Sequence, residues 1–317
     1  MSLPLVSILI PCYNAGRWLA ATLESALAQT WPHLEIIVVD DGSRDDSPAI
    51  ARSFEERGVR LILQPNAGAS AARNRALRES HGEFLQFLDA DDLLSPGKIA
   101  AQIALLRLRP ADAVASCAWG RFTADPVAAH FVDTPVFRDL TPVAFLILAG
   151  DTGAMMHPSA WLVPRSVAEK AGPWNETLSL NDDGEYFARV LLASTGVFFC
   201  SDSLAQSYYR SGLPGSLSQQ RGDRARKSQF TALILIGAHL LRAEDSPPTR
   251  RAAANFLQRF IYEFYPEPAN LMRAAAERVA ELGGASLTQP EMGAKTARLS
   301  RLIGWKFTAR LKALLQK

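Results

Sequence analysis

The chain has 317 residues, 48% of them apolar, enough to bury a large core in one large domain with a smaller addition. A formal charge of only +2 gives no overall electrostatic case for binding nucleic acid, although the C-terminal end is locally basic. No apolar run approaches the ~20 residues needed to cross a bilayer, and no basic lead with an apolar signal core precedes the first strand, so the expectation is a cytoplasmic chain not integral to a membrane.

In chain order, strand-like Leu5 to Ile10 is followed by a helix from Arg17 to Gln29 and an apolar strand, Glu35 to Val39, of the kind buried on both faces. Ser47-Pro48 supplies an N-cap and a first-turn proline for a helix to Glu56, before a strand from Arg60 to Gln64. A helix from Ala69 to Ser80, a strand from Glu83 to Leu88 and a helix opened by Ser95-Pro96 and running to Leu108 complete the regular part. Such alternation predicts an α/β fold, a doubly wound, mostly parallel sheet with ligands at the carboxyl ends of the strands. The middle, Ala111 to Gly222, reads as a continuation of that sheet, with short strands at Ser159 to Val163, Val197 to Cys200 and Ala205 to Arg210 around a helix from Glu185 to Leu192. From Asp223 the pattern is helical, broken at Ser246-Pro247-Pro248, Pro266-Glu267-Pro268 and Gly283-Gly284, which predicts four helices in an appended C-terminal bundle. Phe230 to Leu241 is too short to span a membrane and reads as the buried helix of that bundle. Cys12, Cys117 and Cys200 lie far apart, in no metal-ligand spacing, and read as buried thiols of a reducing compartment.

The polar residues that interrupt these apolar runs fall at strand ends. Pro11-Cys12-Tyr13-Asn14 closes the first strand; Tyr13 is suited to lie on a base and Asn14 to fix the loop, or the segment is a plain turn. Asp40-Asp41-Gly42-Ser43 closes the second, with a carboxylate able to accept from the N–H of a nucleobase, though Asp-Gly is also a common turn. Ala72-Arg73-Asn74-Arg75 presents arginines that either face a nucleotide or pair on the surface. Phe87-Leu88-Asp89-Ala90-Asp91-Asp92 is the most informative: two carboxylates one residue apart at a strand end point into the same space, where they can hold a hard divalent cation against a phosphate. Helix capping does not explain them, since Ser95 already caps the next helix. Asn181-Asp182-Asp183-Gly184-Glu185 opens a helix, where acids also suit the macrodipole.

Together these segments resemble the inverting nucleotide-sugar glycosyltransferases of family 2, which have the A-type glycosyltransferase fold. The resemblance rests on Ile10 to Asn14, Ile37 to Ser43, Asn66-Ala67-Gly68 with Ala71 to Asn74, Phe87 to Asp92, and Asp182-Asp183 ahead of Arg189, and it covers Val6 to Arg210. It implies a nucleotide-sugar-binding half, residues 1–110, an acceptor-binding half, 111–222, and a helical region, 223–317, that inherits no function. It further implies that Pro11, Tyr13, Asn14, Asp41, Arg73 and Asp89 hold the nucleotide, with Asp41 reading the base and Asp89 the ribose. Asp91 is implied as the ligand of Mg2+ or Mn2+ under the diphosphate, and Asp183 as the catalytic base. Asp182 stands where the family commonly has Glu and either steers the acceptor or caps the helix. A UDP-sugar is the preferred donor, and the acceptor a polysaccharide, lipid-linked glycan or glycoconjugate.

Two departures qualify the pattern. Gly172-Pro173-Trp174-Asn175-Glu176 carries Asn175 in place of an acid, and Ser211-Gly212-Leu213 after Arg210 lacks the His many relatives carry, which predicts a metal held by Asp91 and the phosphates alone. His157, beside Met155-Met156, is either an acceptor contact or a packed loop residue. Lys295 to Lys317 contains seven Lys or Arg and no acid around Leu299, Leu302, Ile303, Phe307, Leu311 and Leu314. That stripe suits peripheral contact with an anionic membrane, or packing on the catalytic domain or a second subunit. A nucleotidyltransferase would want a glycine-rich basic loop after the first strand, a Rossmann dehydrogenase a Gly-x-Gly-x-x-Gly there, and the chain has neither. A catalytically silent nucleotide-sugar-binding relative is disfavoured by the retention of Asp89, Asp91 and Asp183.

Overall fold

The structure is a computed structural model that describes residues 3–213, 222–266, 269–290, 300 and 304–315. Its first sheet has the order β3-β2-β1-β4-β8, from Val59–Leu63, Leu34–Asp40, Val6–Cys12, Phe84–Phe87 and Val163–Pro164. β1 runs parallel to both neighbours, paired with β2 along its whole length and with β4 from Val6 to Leu9, and both its faces are covered. Alternate residues therefore enter different cores. Val6, Ile8 and Ile10 pack with Leu19 and Leu23 of α1 (Gly16–Leu27), whereas Leu9, with Ile37 and Val39 of β2, joins Ala72 and Ala76 of α3 (Ala69–Glu79). The continuous apolar strands of the sequence are the consequence. α2 (Ser47–Ser53) and α4 (Lys98–Leu106) complete the βα alternation.

The middle region does not simply continue this sheet. It builds a second one around β6 (Ala113–Phe122), which pairs in parallel with β9 (Gly196–Cys200) along its first half and with β10 (Gln206–Arg210) along its second. β5 (Leu93–Leu94) and β7 (His130–Phe131) add antiparallel edges. A bridge between Ala115 and Leu162 links the second sheet to the segment entering β8. The strand expected at Ser159 to Val163 is instead a 3-10 turn, Pro158–Ala160, leading to the two-residue β8. The prolines at its two ends lack the N–H that a ladder needs. Two helices, α5 (Pro142–Thr152) and α6 (Arg165–Ala171), stand where none was expected.

Four helices follow Gly222 in the described residues: α8 (Asp223–Ala243), α9 (Pro247–Phe264), α10 (Ala269–Glu281) and Trp305–Leu315. The first three share one core with the sheet, since Leu240, Phe260 and Ala275 fall in the same apolar cluster as Leu9, Phe87 and Trp161. α8 lies on α7 (Asp182–Ala193), where Glu185 accepts from His239 at 3.1 Å and pairs with Arg189 at 2.8 Å. α9 crosses α5 so closely that a Cβ on Gly150 would stand 2.8 Å from the Ala252 carbonyl oxygen. Gly150→Val is therefore expected to destabilise the whole protein by about 1–3 kcal/mol through overpacking, read as a single lowered transition in thermal denaturation.

The expected basic stripe of Lys295 to Lys317 lies largely outside the described residues, which include neither Leu299, Leu302 and Ile303 nor the side chains of Leu311 and Leu314. Within the part described, Trp305 sets its ring edge-on against Tyr262 and Tyr265, while Phe307 is exposed. All three cysteines are free and buried, as expected. No helix among the described residues is long and apolar enough to cross a membrane.

Candidate active site

The parallel register brings the ends of β1, β2 and β4 side by side, with Cys12 opposite Asp40 and Leu9 opposite Phe87. Beyond β1 the side chain of Tyr13 is 49% exposed, open to lie on a planar ring. Asn14 takes a left-handed conformation, φ 50°, and ties two loops together: its Oδ1 accepts from the Arg44 amide at 2.8 Å, and its own amide donates to Ser43 Oγ at 2.9 Å. Gly42 turns the chain at φ 76°, and any Cβ there would stand 2.9 Å from the Asn66 nitrogen.

Asp41 is committed within its own loop. Its carboxylate accepts from Gln64 Nε2, Asn66 Nδ2 and the amides of Ala67 and Gly68, at 2.7–3.0 Å. Those four bonds fill the capacity of a carboxylate, so reading a base with Asp41 requires one of them to be exchanged. Its neighbour Asp40 accepts from the Ser43 amide through Oδ1 and keeps Oδ2 buried without a partner among the described residues.

Beyond β4, three carboxylates crowd one turn. Thr22 of α1 fixes the backbone, donating at 2.9 Å to the carbonyls of Ala90 and Asp92. Asp92 is buried and accepts from the Arg210 amide and from Ser159, with His157 Nδ1 at 3.2 Å. His157 is 1% exposed, its Nε2 lies 3.0 Å from Ser207 Oγ, and its ring packs edge-on against Trp119. It is the packed alternative of the two expected for it: burial holds its pKa down to about 3, and the imidazole is a neutral support for Asp92. Arg210 donates through Nε to the Asp91 carbonyl at 2.9 Å and stacks on Trp18 and Phe122. The Asp91 carboxyl itself has no basic side chain bonded to it among the described residues, and burial together with Asp92 and Asp89 pushes its pKa up to about 8.

α7 approaches from the opposite side. Asn181, at φ 59°, turns the chain so that Asp182 and Asp183 form the first turn. The helix is seated by aromatic packing: Trp174 stacks on Tyr186 at 4.0 Å, and Phe87 at the end of β4 meets Trp174, Tyr186 and Phe187 edge-on. Asn74 of α3 holds Trp174 by bonds to both its amide and its carbonyl. Asn175 keeps the turn with Thr177 that the sequence departure put in question. Arg73 is buried, not at the surface, and lies 2.8 Å from Asp182 through Nη1 and 2.8 Å from Asp89 through Nη2. Asp182 also accepts from Ser70, so it is consumed by structure. Asp183 accepts only the Gly184 amide among the described residues, and burial beside Asp182 raises its pKa to about 6.

Asp89, Asp91, Asp183 and Arg73 are thus brought together from the expected set. Thr22, Ser70, Trp174 and Arg210 complete the site and were not foreseen; only Arg210, at a strand end, carried a readable signal. No group of three or more His, Cys, Asp or Glu among the described residues is placed to hold a metal by itself. A carboxylate crowded by like charge and lacking a basic partner nevertheless fits a hard cation that takes its remaining ligands from phosphate and water, as Mg2+ does.

The profile described as glycosyl transferase family 2 matches residues 7–170. The chain belongs to this family. Among curated relatives, an uncharacterized glycosyltransferase of Rickettsia typhi is 31% identical over 207 residues, and the match spans 64% of this chain and 64% of that protein. The Escherichia coli glucosyltransferase WfaP, named as transferring from UDP-Glc to α-D-GlcNAc-diphosphoundecaprenol, is 28% identical over 74% of this chain and 88% of its own length. Of the solved structures, Staphylococcus aureus TarS 1-349 in complex with UDP-GlcNAc superposes with a TM-score of 0.71 at 18% identity, covering 88% of this chain and 80% of that one. The architecture is that of the glycosyltransferases, as the family 2 motifs implied.

Proposed function

We propose that the chain is an inverting glycosyltransferase that moves a sugar from a nucleotide diphosphate, preferably a UDP-sugar, to a hydroxyl of a polysaccharide or lipid-linked glycan of the cell envelope. One observation carries the reading: Asp183, a partly buried carboxylate with a raised pKa, stands near Asp89 at the end of β4, and Arg73 joins Asp89 to the neighbouring Asp182. Asp183 is free to take the proton of an acceptor hydroxyl, and a general base working near neutrality is most effective with a pKa close to that pH. Tyr13 and the loop ends at Asn14 and Asp41 line the nucleobase side, and Asp89 the ribose. Asp91 would hold Mg2+ or Mn2+, which when bound supplies Lewis-acid stabilisation to the departing diphosphate. The UDP-sugars named for WfaP and TarS support UDP as the nucleotide of the donor. An acceptor on a lipid would set the work at the cytoplasmic face of a membrane.

Incubating the protein with UDP-Glc or UDP-GlcNAc and lipid-diphosphate sugars, then determining the anomeric configuration of the product by NMR, tests the reading. A product with inverted configuration supports it; retention would rule out Asp183 as base to a single displacement. The pH dependence follows from the same group. Because the Asp183 pKa is raised, the inactive protonated form persists to about pH 6, and kcat/KM is expected to fall about tenfold per pH unit below that point.

A further inference from the structure

Arg73 is the only basic side chain bonded to either Asp89 or Asp182 among the described residues, and it joins segments that lie 16 and 109 positions away from it. Its guanidinium lies over the Trp174 ring at 4.5 Å, so it is held from below by a face and at two corners by carboxylates. Nη1 donates to Asp182 and Nη2 to Asp89, which uses two of the five guanidinium N–H groups, and Nε is buried without a partner among the described residues. Both terminal nitrogens are thus anchored on protein carboxylates from two distant segments. We propose that Arg73 is the positioning residue of the site: by pairing with Asp182 it fixes the first turn of α7 against the strand end at Asp89, and leaves Asp183 as the one unpaired carboxylate of that turn. The reading of Asp183 as the base underlies this inference.

Electrostatics give the proposal a signature. The groups facing Asp183 are Asp182 on its own helix, Arg73 from α3 and Asp89 from the end of β4; Glu185, further along α7, is turned to Arg189 and to His239 of α8. Asp182 and Asp89 disfavour ionisation of Asp183, and Arg73 favours it. Removing the two partners of the buried pair must therefore move Asp183 in opposite directions. Arg73→Gln takes away the cation and should raise the Asp183 midpoint above about 6; Asp182→Asn takes away an anion and should lower it.

The test is a carbon-detected NMR titration of Asp183 in the full chain, wild type and both variants, with UDP binding measured by calorimetry on the same samples. The assignment of the Asp183 resonance comes from its loss in Asp183→Asn. Opposite shifts, with the UDP Kd changed less than about threefold, are the expected result. An unmoved midpoint with UDP binding weakened tenfold or more in Arg73→Gln would overturn the proposal and return Arg73 to the nucleotide. Should Arg73→Gln fail to fold, Asp182→Asn and Arg73→Lys carry the test: a midpoint unchanged in Asp182→Asn would equally overturn it. The titration needs no turnover, so a failure of the glycosyltransferase reading, seen as no transfer by the wild type, is separate from a failure of this one.

Discussion

Asp183→Asn is expected to abolish transfer while leaving the nucleotide bound. The substitution keeps the shape of the side chain and its bond from the Gly184 amide but replaces the basic carboxylate, which on the proposed reading takes the acceptor proton, with a non-basic amide. General-base removal costs about 10²–10⁴-fold in kcat. Nucleotide affinity should change little, because Asp183 lies on α7, whereas the nucleotide side of the proposed site is formed by the ends of β1, β2 and β4. Steady-state rates and a UDP titration on the variant check both halves. Full turnover would remove Asp183 from the mechanism.

The second large effect is on stability. The Asp91 carboxyl, ordinarily 3.8, is pushed to about 8 by burial and by its like-charged neighbours. A native pKa above the unfolded value means that the folded state binds the extra proton, so the carboxyl stabilises at low pH and that contribution is lost as pH rises towards 8. The slope is at most about 1.4 kcal/mol per pH unit. Asp91→Asn removes the ionisation, so the apo variant should melt several degrees higher than wild type at about pH 8, with the difference shrinking towards pH 4. The same variant should lose the Mn2+-dependent part of UDP binding. Melting curves at several pH values, with and without UDP and Mn2+, read both effects, and a gain independent of pH would contradict the linkage.

The part of the molecule legible in the sequence is the part whose physics is local. The strands of the first sheet are buried on both faces and so are uninterrupted apolar runs, and Ser47-Pro48 and Ser95-Pro96 mark where two helices begin, although neither serine caps as expected: Asp46 and Gly97 hold the cap positions without a side-chain bond, and Ser95 Oγ donates to the Leu204 carbonyl. The carboxylates Asp89, Asp91 and Asp183 stood out because acids abruptly ended or opened such elements. β6 was missed because Ala113, Ala115, Ala118 and Gly120 are small residues with no strand signal of their own; Gly120 is small because the Phe131 ring lies against it. The partnership of Arg73 with Asp182 is a long-range contact that no local pattern announces. Asp41 adds a second long-range feature of this kind: four donors from residues 64–68 surround its carboxylate, so a bond to a base is made only in exchange for one of them.

The shared core of the C-terminal helices has a practical consequence for anyone dissecting this protein. Cutting after Gly222, where the resemblance to the family has already run out, would strip α8, with Leu233, Ile236 and Leu240, from α7 and α9 from α5, and lay bare the apolar surface they cover. The helix that carries Asp183 would lose its backing, and the fragment would retain every motif yet be expected to aggregate. Domain exchange between relatives is therefore better attempted by swapping surface loops of the second sheet than by exchanging tails, because the tail here is a wall of the catalytic room and not an annex to it.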